Sequence, residues 1–210
     1  MTNTRYPQAR IWNRFAAGYA KRAVDDPKAY QVKLDKTAAL MTPDMKVLEF
    51  GCGTGTTALY HAKRVDRIDA LDFSSEMIRI AKGKAETANA PNVAFHICTL
   101  GDWGTEHGPY DMIMAHSVLH LVEDLDATLH QVRKRLKPGG WFVSSTVCIR
   151  DASRILPILL PLASATRLIP KVLPLGAEGL QQRISAAGFD ITEHWRPAQG
   201  KAVFIIAQAV

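Results

Sequence analysis

Along the first half of the chain, short runs of continuous apolar residues alternate with longer stretches in which apolar positions recur at helical spacing. Val47-Leu48-Glu49-Phe50 and residues 65–72 read as strands, residues 92–98 as a third, and Tyr110-Asp111-Met112-Ile113-Met114-Ala115 as a fourth. Such runs suit strands covered on both faces, because neither face is left for water. Between them lie amphipathic patterns. Ser74 or Ser75 opens one that runs to about Asn89, and Asp124 opens another with Leu125, Leu129, Val132 and Leu136 on one face. Lys137-Pro138-Gly139-Gly140 is expected to stop that helix, and residues 141–147 form a fifth strand. Residues 188–195 and 202–207 then read as a closing hairpin. Strand–helix alternation predicts a doubly wound, mostly parallel sheet of seven strands in an α/β fold, with a C-terminal antiparallel hairpin.

Two further stretches fall outside this alternation. Residues 1–24 contain no acid, and Ile11, Trp12, Phe15, Ala16 and Tyr19 lie along one side of a helix that also carries Arg10, Arg14, Lys21 and Arg22. A basic amphipathic helix can be a plain surface helix, a targeting segment, or a lid that also touches an anionic membrane. The last is favoured, with residues 1–41 as a helical lid. Residues 151–176 are mostly apolar and carry prolines at 157, 161, 170 and 174. The prolines, with Arg167 and Lys171, argue against a membrane span. A helical insertion roofing an apolar acceptor site is the preferred reading.

Composition changes the picture little. The 210 residues suit a single domain, 47% hydrophobic and 22% charged. A net charge of +6 is compatible with acidic partners. Cys52, Cys98 and Cys148 are scattered, with no metal-ligand spacing, so a reduced, cytoplasmic, metal-free chain is expected, peripheral at the membrane if the lid touches it.

The chemistry concentrates after the first strand, in Glu49-Phe50-Gly51-Cys52-Gly53-Thr54-Gly55. Glycines at alternate positions allow a sharp turn and a close ligand approach, and the helix that follows offers free N–H groups. A dinucleotide fingerprint needs a glycine at position 56, where this chain has Thr56. An oxidoreductase binding a dinucleotide is therefore the weaker alternative, and a non-catalytic membrane- or protein-binding module is the third.

Four motifs in order, V-L-E-F-G-C-G-T-G, L-D-F-S-S-E-M, Y-D-M-I-M-A and R-L-K-P-G-G, resemble the class I S-adenosylmethionine (SAM)-dependent methyltransferases over residues 40–150. I-W-N-R-F-A-A-G-Y-A resembles the opening helix of branches that methylate quinone precursors and phospholipid head groups. The resemblance implies that Glu49 and the backbone of Gly51, Cys52, Gly53 and Gly55 hold the methionine end of SAM. It implies Asp72 on the ribose hydroxyls, Phe73 and Met77 beside adenine, and the Ala115-His116 backbone facing the amino group. An acid often follows the third strand in that family. Here Cys98-Thr99-Leu100 stands there and Asp102 comes later, so either Thr99 with the Leu100 backbone or Asp102 meets the adenine.

Methyl transfer to a small, lipophilic acceptor is the expected activity. Positioning supplies about 7–11 kcal/mol in such a displacement, against about 3–5 kcal/mol from a general base. A base is optional; His116, His120 and Tyr19 are the candidates, and Tyr19 and Trp12 can instead wall a cation. The chain has A-H-S-V after the fourth strand rather than the [N/D]-P-P-[Y/F] of amino methyltransferases acting on nucleic acid, so no nucleic-acid partner is expected. The oligomeric state is left open.

Overall fold

A computed structural model of the protein describes residues 6–152, 170–197 and 202–210. The chain forms two compact units, Met1–Trp103 and Gly104–Val210. In the first, α1 (Ala9–Lys21) and α2 (Pro27–Ala38) precede β1 (Lys46–Phe50), α3 (Thr56–His61), β2 (Arg67–Asp72), α4 (Ser75–Ala88) and β3 (Val93–Ile97). Strand β1 is buried from Val47 to Phe50, Glu49 included, as its apolar run requires. The three strands are parallel; Glu49 lies beside Ala70, and Asp72 beside Ile97.

Local chemistry fixes the helix ends. Asp26 accepts the Ala29 N–H ahead of Pro27, and Ser74 accepts the Met77 N–H. Asn89, left-handed at φ 48°, closes α4. Helix α1 packs on α4. The second strand begins at Arg67 rather than residue 65: a 3₁₀ turn, Ala62–Arg64, comes first, and the Asp66 and Arg67 N–H groups both donate to the Met45 carbonyl.

The second unit contains β4 (Tyr110–His116), α5 (Leu125–Arg135), β5 (Leu136–Val147), α6 (Ile149–Ala152), α7 (Ala177–Ala186), β6 (Phe189–Trp195) and β7 (Ala202–Ala209). Asp124 caps α5 by accepting the Ala127 N–H, as its position in the sequence predicts. The helix stops at Arg135, just ahead of residues 137–140 as expected, but those residues already belong to β5, which begins at Leu136 rather than residue 141. Tyr110 pairs with Leu136 and Met112 with Trp141, so Lys137 to Gly140 bulge out of the ladder. A bulge tolerates the proline and the left-handed Gly139 (φ 72°), which regular pairing would not.

Strand β5 runs antiparallel to β7, and β7 antiparallel to β6. The strand order is β3-β2-β1-β4-β5-β7-β6 in one seven-stranded sheet, the predicted α/β architecture with its terminal hairpin.

Most of the apolar segment, residues 153–169, lies outside the described residues, and with it the expectation of a roof over an acceptor. Its flanks are tied down in the second unit: the Leu173 N–H meets the His120 carbonyl at 2.7 Å, and the Arg150 N–H meets that of Leu175 at 3.0 Å. Among the described residues, no helix is long and apolar enough to cross a membrane.

Candidate cofactor site

The turn after β1 is built from three left-handed glycines, Gly51 (φ 64°), Gly53 (φ 54°) and Gly55 (φ 74°). Alternate positive φ values explain why glycine recurs at every second position. The glycines do different work. A Cβ on Gly53 would meet only the Tyr19 ring, at 3.7 Å, whereas one on Gly55 would lie 2.7 Å from the Phe95 ring and 3.0 Å from Ala81. Gly55 is therefore needed for packing, and Gly53 keeps the turn open beneath Tyr19. Lys84 braces the turn from behind, donating to Thr54 Oγ1 and Thr56 Oγ1 at 2.9 and 3.0 Å.

Two carboxylates converge here. Asp72 accepts the Gly53 N–H at 2.9 Å and the Ser74 N–H at 2.8 Å, which ties the end of β2 to the glycine turn. Burial still pushes its carboxyl above the usual range, despite those bonds. Glu49 is 2% exposed, and burial, followed by the charge of Asp72, raises it to about 8 against the Ala58 N–H, which lowers it. Its Oε2 is buried without a hydrogen-bond partner. A buried carboxyl with an unpartnered oxygen beside a second acid lacks a counter-charge and so stays protonated up to about pH 8, unless a cationic ligand supplies one.

The other predicted residues around this turn fall into place unevenly. Cys52 donates its N–H to the Leu71 carbonyl, and burial keeps its thiol protonated, so it offers backbone rather than a thiolate. Met77 is buried at 2% and packs as core, while Phe73 is half-buried, 6.1 Å from the Tyr6 ring. Leu100 is buried. Thr99 and Asp102, set against each other by the sequence, form one group: Thr99 Oγ1 donates to Asp102 Oδ2 at 2.7 Å.

Helix α1 lies over this turn. Tyr19 sits against Gly53, its phenol pushed up by partial burial, then by Glu49 and Asp72. Asn13 accepts from the Ser74 hydroxyl at 2.6 Å and from the Glu76 N–H at 3.2 Å. Tyr6 donates to Asp102 Oδ2 at 2.7 Å. Tyr30 of α2 approaches Thr57 at 3.2 Å, and Glu49 raises its phenol after burial. Sequence reasoning missed Tyr6, Asn13 and Tyr30. Helical periodicity marks which face they occupy but not what they meet.

In the second unit, His116 ends β4 beside Ser145. His120 lies in the 3₁₀ turn Leu119–Leu121, and burial lowers it to about 4, so it is neutral at pH 7. Among the described residues, no group of His, Cys, Asp or Glu could hold a metal ion, and the three cysteines are free.

A left-handed glycine turn between a buried strand and a helix, an acid at the end of the next strand, and a seven-stranded sheet closed by an antiparallel pair define the fold of class I SAM-dependent methyltransferases. Residues 47–140 match the family model described as "Methyltransferase domain". The tRNA 5-carboxymethoxyuridine methyltransferase of Escherichia coli K12 is 36% identical over 110 residues, 51% of this chain and 42% of that protein. The highly reducing polyketide synthase easB of Emericella nidulans is 36% identical over 114 residues, 48% of this chain and 4% of that protein. This chain thus spans less than half the length of either relative. Among solved structures, the DhpI-SAH complex superposes with a TM-score of 0.74 at 21% identity, covering 97% of this chain and 95% of that one. The fold is that of the class I SAM-dependent methyltransferases, and residues 47–140 are similar to their domain model.

Proposed function

We propose that the protein binds SAM at the glycine turn and transfers its methyl group, by in-line displacement, to a small lipophilic acceptor. The observation that carries the cofactor reading is Glu49. A buried carboxyl with an unpartnered oxygen, kept protonated up to about 8 by burial and Asp72, would ionise against the ammonium of a bound SAM, which supplies the counter-charge that the site lacks. SAM when bound supplies an already activated methyl carbon. The chain's task is then to hold and orient: Glu49 and the Gly51, Gly53 and Gly55 backbone at the amino-acid end, Asp72 at the ribose, Phe73 near the base, and either Thr99 with the Leu100 backbone or Asp102 beyond it.

Tyr19, held protonated, serves better as an aromatic wall than as a base. His116 and His120 stand as candidate bases because they follow β4, where open α/β sheets place ligands. His116 also carries the backbone assigned to the cofactor's amino group.

The lipophilic acceptor rests on the apolar segment 151–176 and on α1, where Phe15 and Tyr19 are exposed beside Arg10 and Arg14. That face also suits peripheral contact with an anionic membrane. The tRNA-acting relative favours a second reading, an RNA acceptor drawn by the basic surface, and removes the ground for setting nucleic acid aside.

SAM, S-adenosylhomocysteine and NAD, each at saturating concentration, test the cofactor by thermal melting: the first two raise the melting temperature and NAD does not. A screen of quinone precursors, aminophospholipids, small phenols and bulk tRNA with methyl-labelled SAM then tests the acceptor. Label moving to tRNA alone would replace the lipophilic reading.

A further inference from the structure

The segment from Tyr6 to Tyr19 does more than cover the turn, because it reaches two acids through hydrogen bonds. Asn13 Oδ1 accepts from the Ser74 hydroxyl and the Glu76 N–H, which fixes the start of α4. The Ser74 hydroxyl in turn accepts the Met77 N–H, and the Ser74 N–H donates to Asp72 Oδ1 at 2.8 Å. Moving Asn13 therefore loosens the residue that aims one oxygen of Asp72, while Gly53 aims the other. Tyr6 acts on the second acid. Its hydroxyl and that of Thr99 both donate to Asp102 Oδ2 at 2.7 Å, and the Asp102 N–H donates back to Thr99 Oγ1 at 3.3 Å. The Tyr6 ring also stands 6.1 Å from Phe73 at a tilt of 46°, beside the acid that it holds.

We propose that Tyr6 and Asn13 are positioning residues for the nucleoside half of the cofactor, Asn13 setting Asp72 for the ribose through Ser74 and Tyr6 setting Asp102 for the adenine amino group. The proposal rests on the SAM reading above and settles the choice at the base in favour of Asp102, with Thr99 as its support. The amino-terminal segment then selects the nucleoside. A cover that acted by exclusion alone would weaken all ligands alike. A residue that aims a carboxylate weakens only those ligands that carry the group being read.

The test is a set of binding cycles by calorimetry with S-adenosylhomocysteine, its 6-oxo (inosine) analogue and its 2′-deoxy analogue. The wild-type chain is expected to bind the parent at least tenfold tighter than either analogue. Tyr6→Phe should cost the parent about fivefold and the 6-oxo analogue less than twofold. Asn13→Ala should cost the parent about fivefold and the 2′-deoxy analogue less than twofold. Asn13→Asp keeps an oxygen acceptor at the start of α4 and should restore parent binding to within twofold of wild type, so the test survives if Asn13→Ala folds poorly. Equal losses on parent and analogue would overturn the proposal while leaving the cofactor reading intact. If the wild-type chain binds none of the three ligands, both fail together.

Discussion

Replacing Glu49 with Gln separates the cost of this site from its use. The side chain lies in β1, fully buried, and its carboxyl is raised from 4.5 to about 8 by burial and by Asp72. Between these two values the folded protein keeps a proton that the unfolded chain has already lost. Stability must therefore fall as pH rises through that window and level off above about pH 8. A rise of 3.5 units (8 minus 4.5) corresponds to about 5 kcal/mol, at 1.36 kcal/mol per unit. Gln has nearly the same shape, can accept the Ala58 N–H, and does not ionise. Glu49→Gln should match the wild type near pH 4.5 and gain on it steadily, reaching about 5 kcal/mol near pH 8. The assay is urea unfolding of both proteins at half-unit pH steps, because groups that do not interact with Glu49 cancel in the difference. The same variant should lose the ligand: binding of S-adenosylhomocysteine at pH 7.5 should weaken by at least tenfold. Parallel stability curves from pH 4.5 to 8 would refute the reasoning, since they would mean that Glu49 ionises as freely folded as unfolded.

Four further outcomes follow from the same geometry. Asp72→Ala should weaken S-adenosylhomocysteine binding at least tenfold by calorimetry, and it also removes the acceptor of the Gly53 and Ser74 N–H groups. Gly55→Ala should destabilise by roughly 2–4 kcal/mol, combining a left-handed backbone with a Cβ 2.7 Å from Phe95, as read from chemical unfolding. His61, fully buried and lowered to about 4 from 6.5, should cost about 3 kcal/mol of stability as pH falls through that interval, because the unfolded chain takes up the proton first. His61→Leu should flatten that acid limb. Deleting residues 1–24 should leave the sheet folded by circular dichroism and lower turnover on whichever acceptor the screen identifies.

The strands and the glycine turn were legible because one local cause dominates each. A left-handed backbone at Gly51, Gly53 and Gly55 admits little but glycine, and a strand covered on both faces must be apolar, as Met112 to Ala115 are. Ser74 and Asp124 declared themselves as caps for the same reason: a short polar side chain ahead of an amphipathic run has one good local partner. What stayed hidden depends on residues far apart in the chain. Asn13 meets Ser74 across 61 positions and Tyr6 meets Asp102 across 96, and nothing in either local pattern marks such a bond. Lys137-Pro138-Gly139-Gly140 marked the end of the helix but hid the early start of β5, because a helix stop and a bulge in a strand call for the same residue types. Thr99 and Asp102 read as rivals in the sequence because spacing says nothing about whether their side chains bond to each other.

The central claim is that the glycine turn and its two acids hold SAM. Calorimetric titration of the intact protein with SAM at pH 7.5 tests it most directly. One site per chain, matched by S-adenosylhomocysteine and weakened at least tenfold by Asp72→Ala, is the predicted result. No heat and no shift in melting temperature with either ligand at millimolar concentration would contradict it.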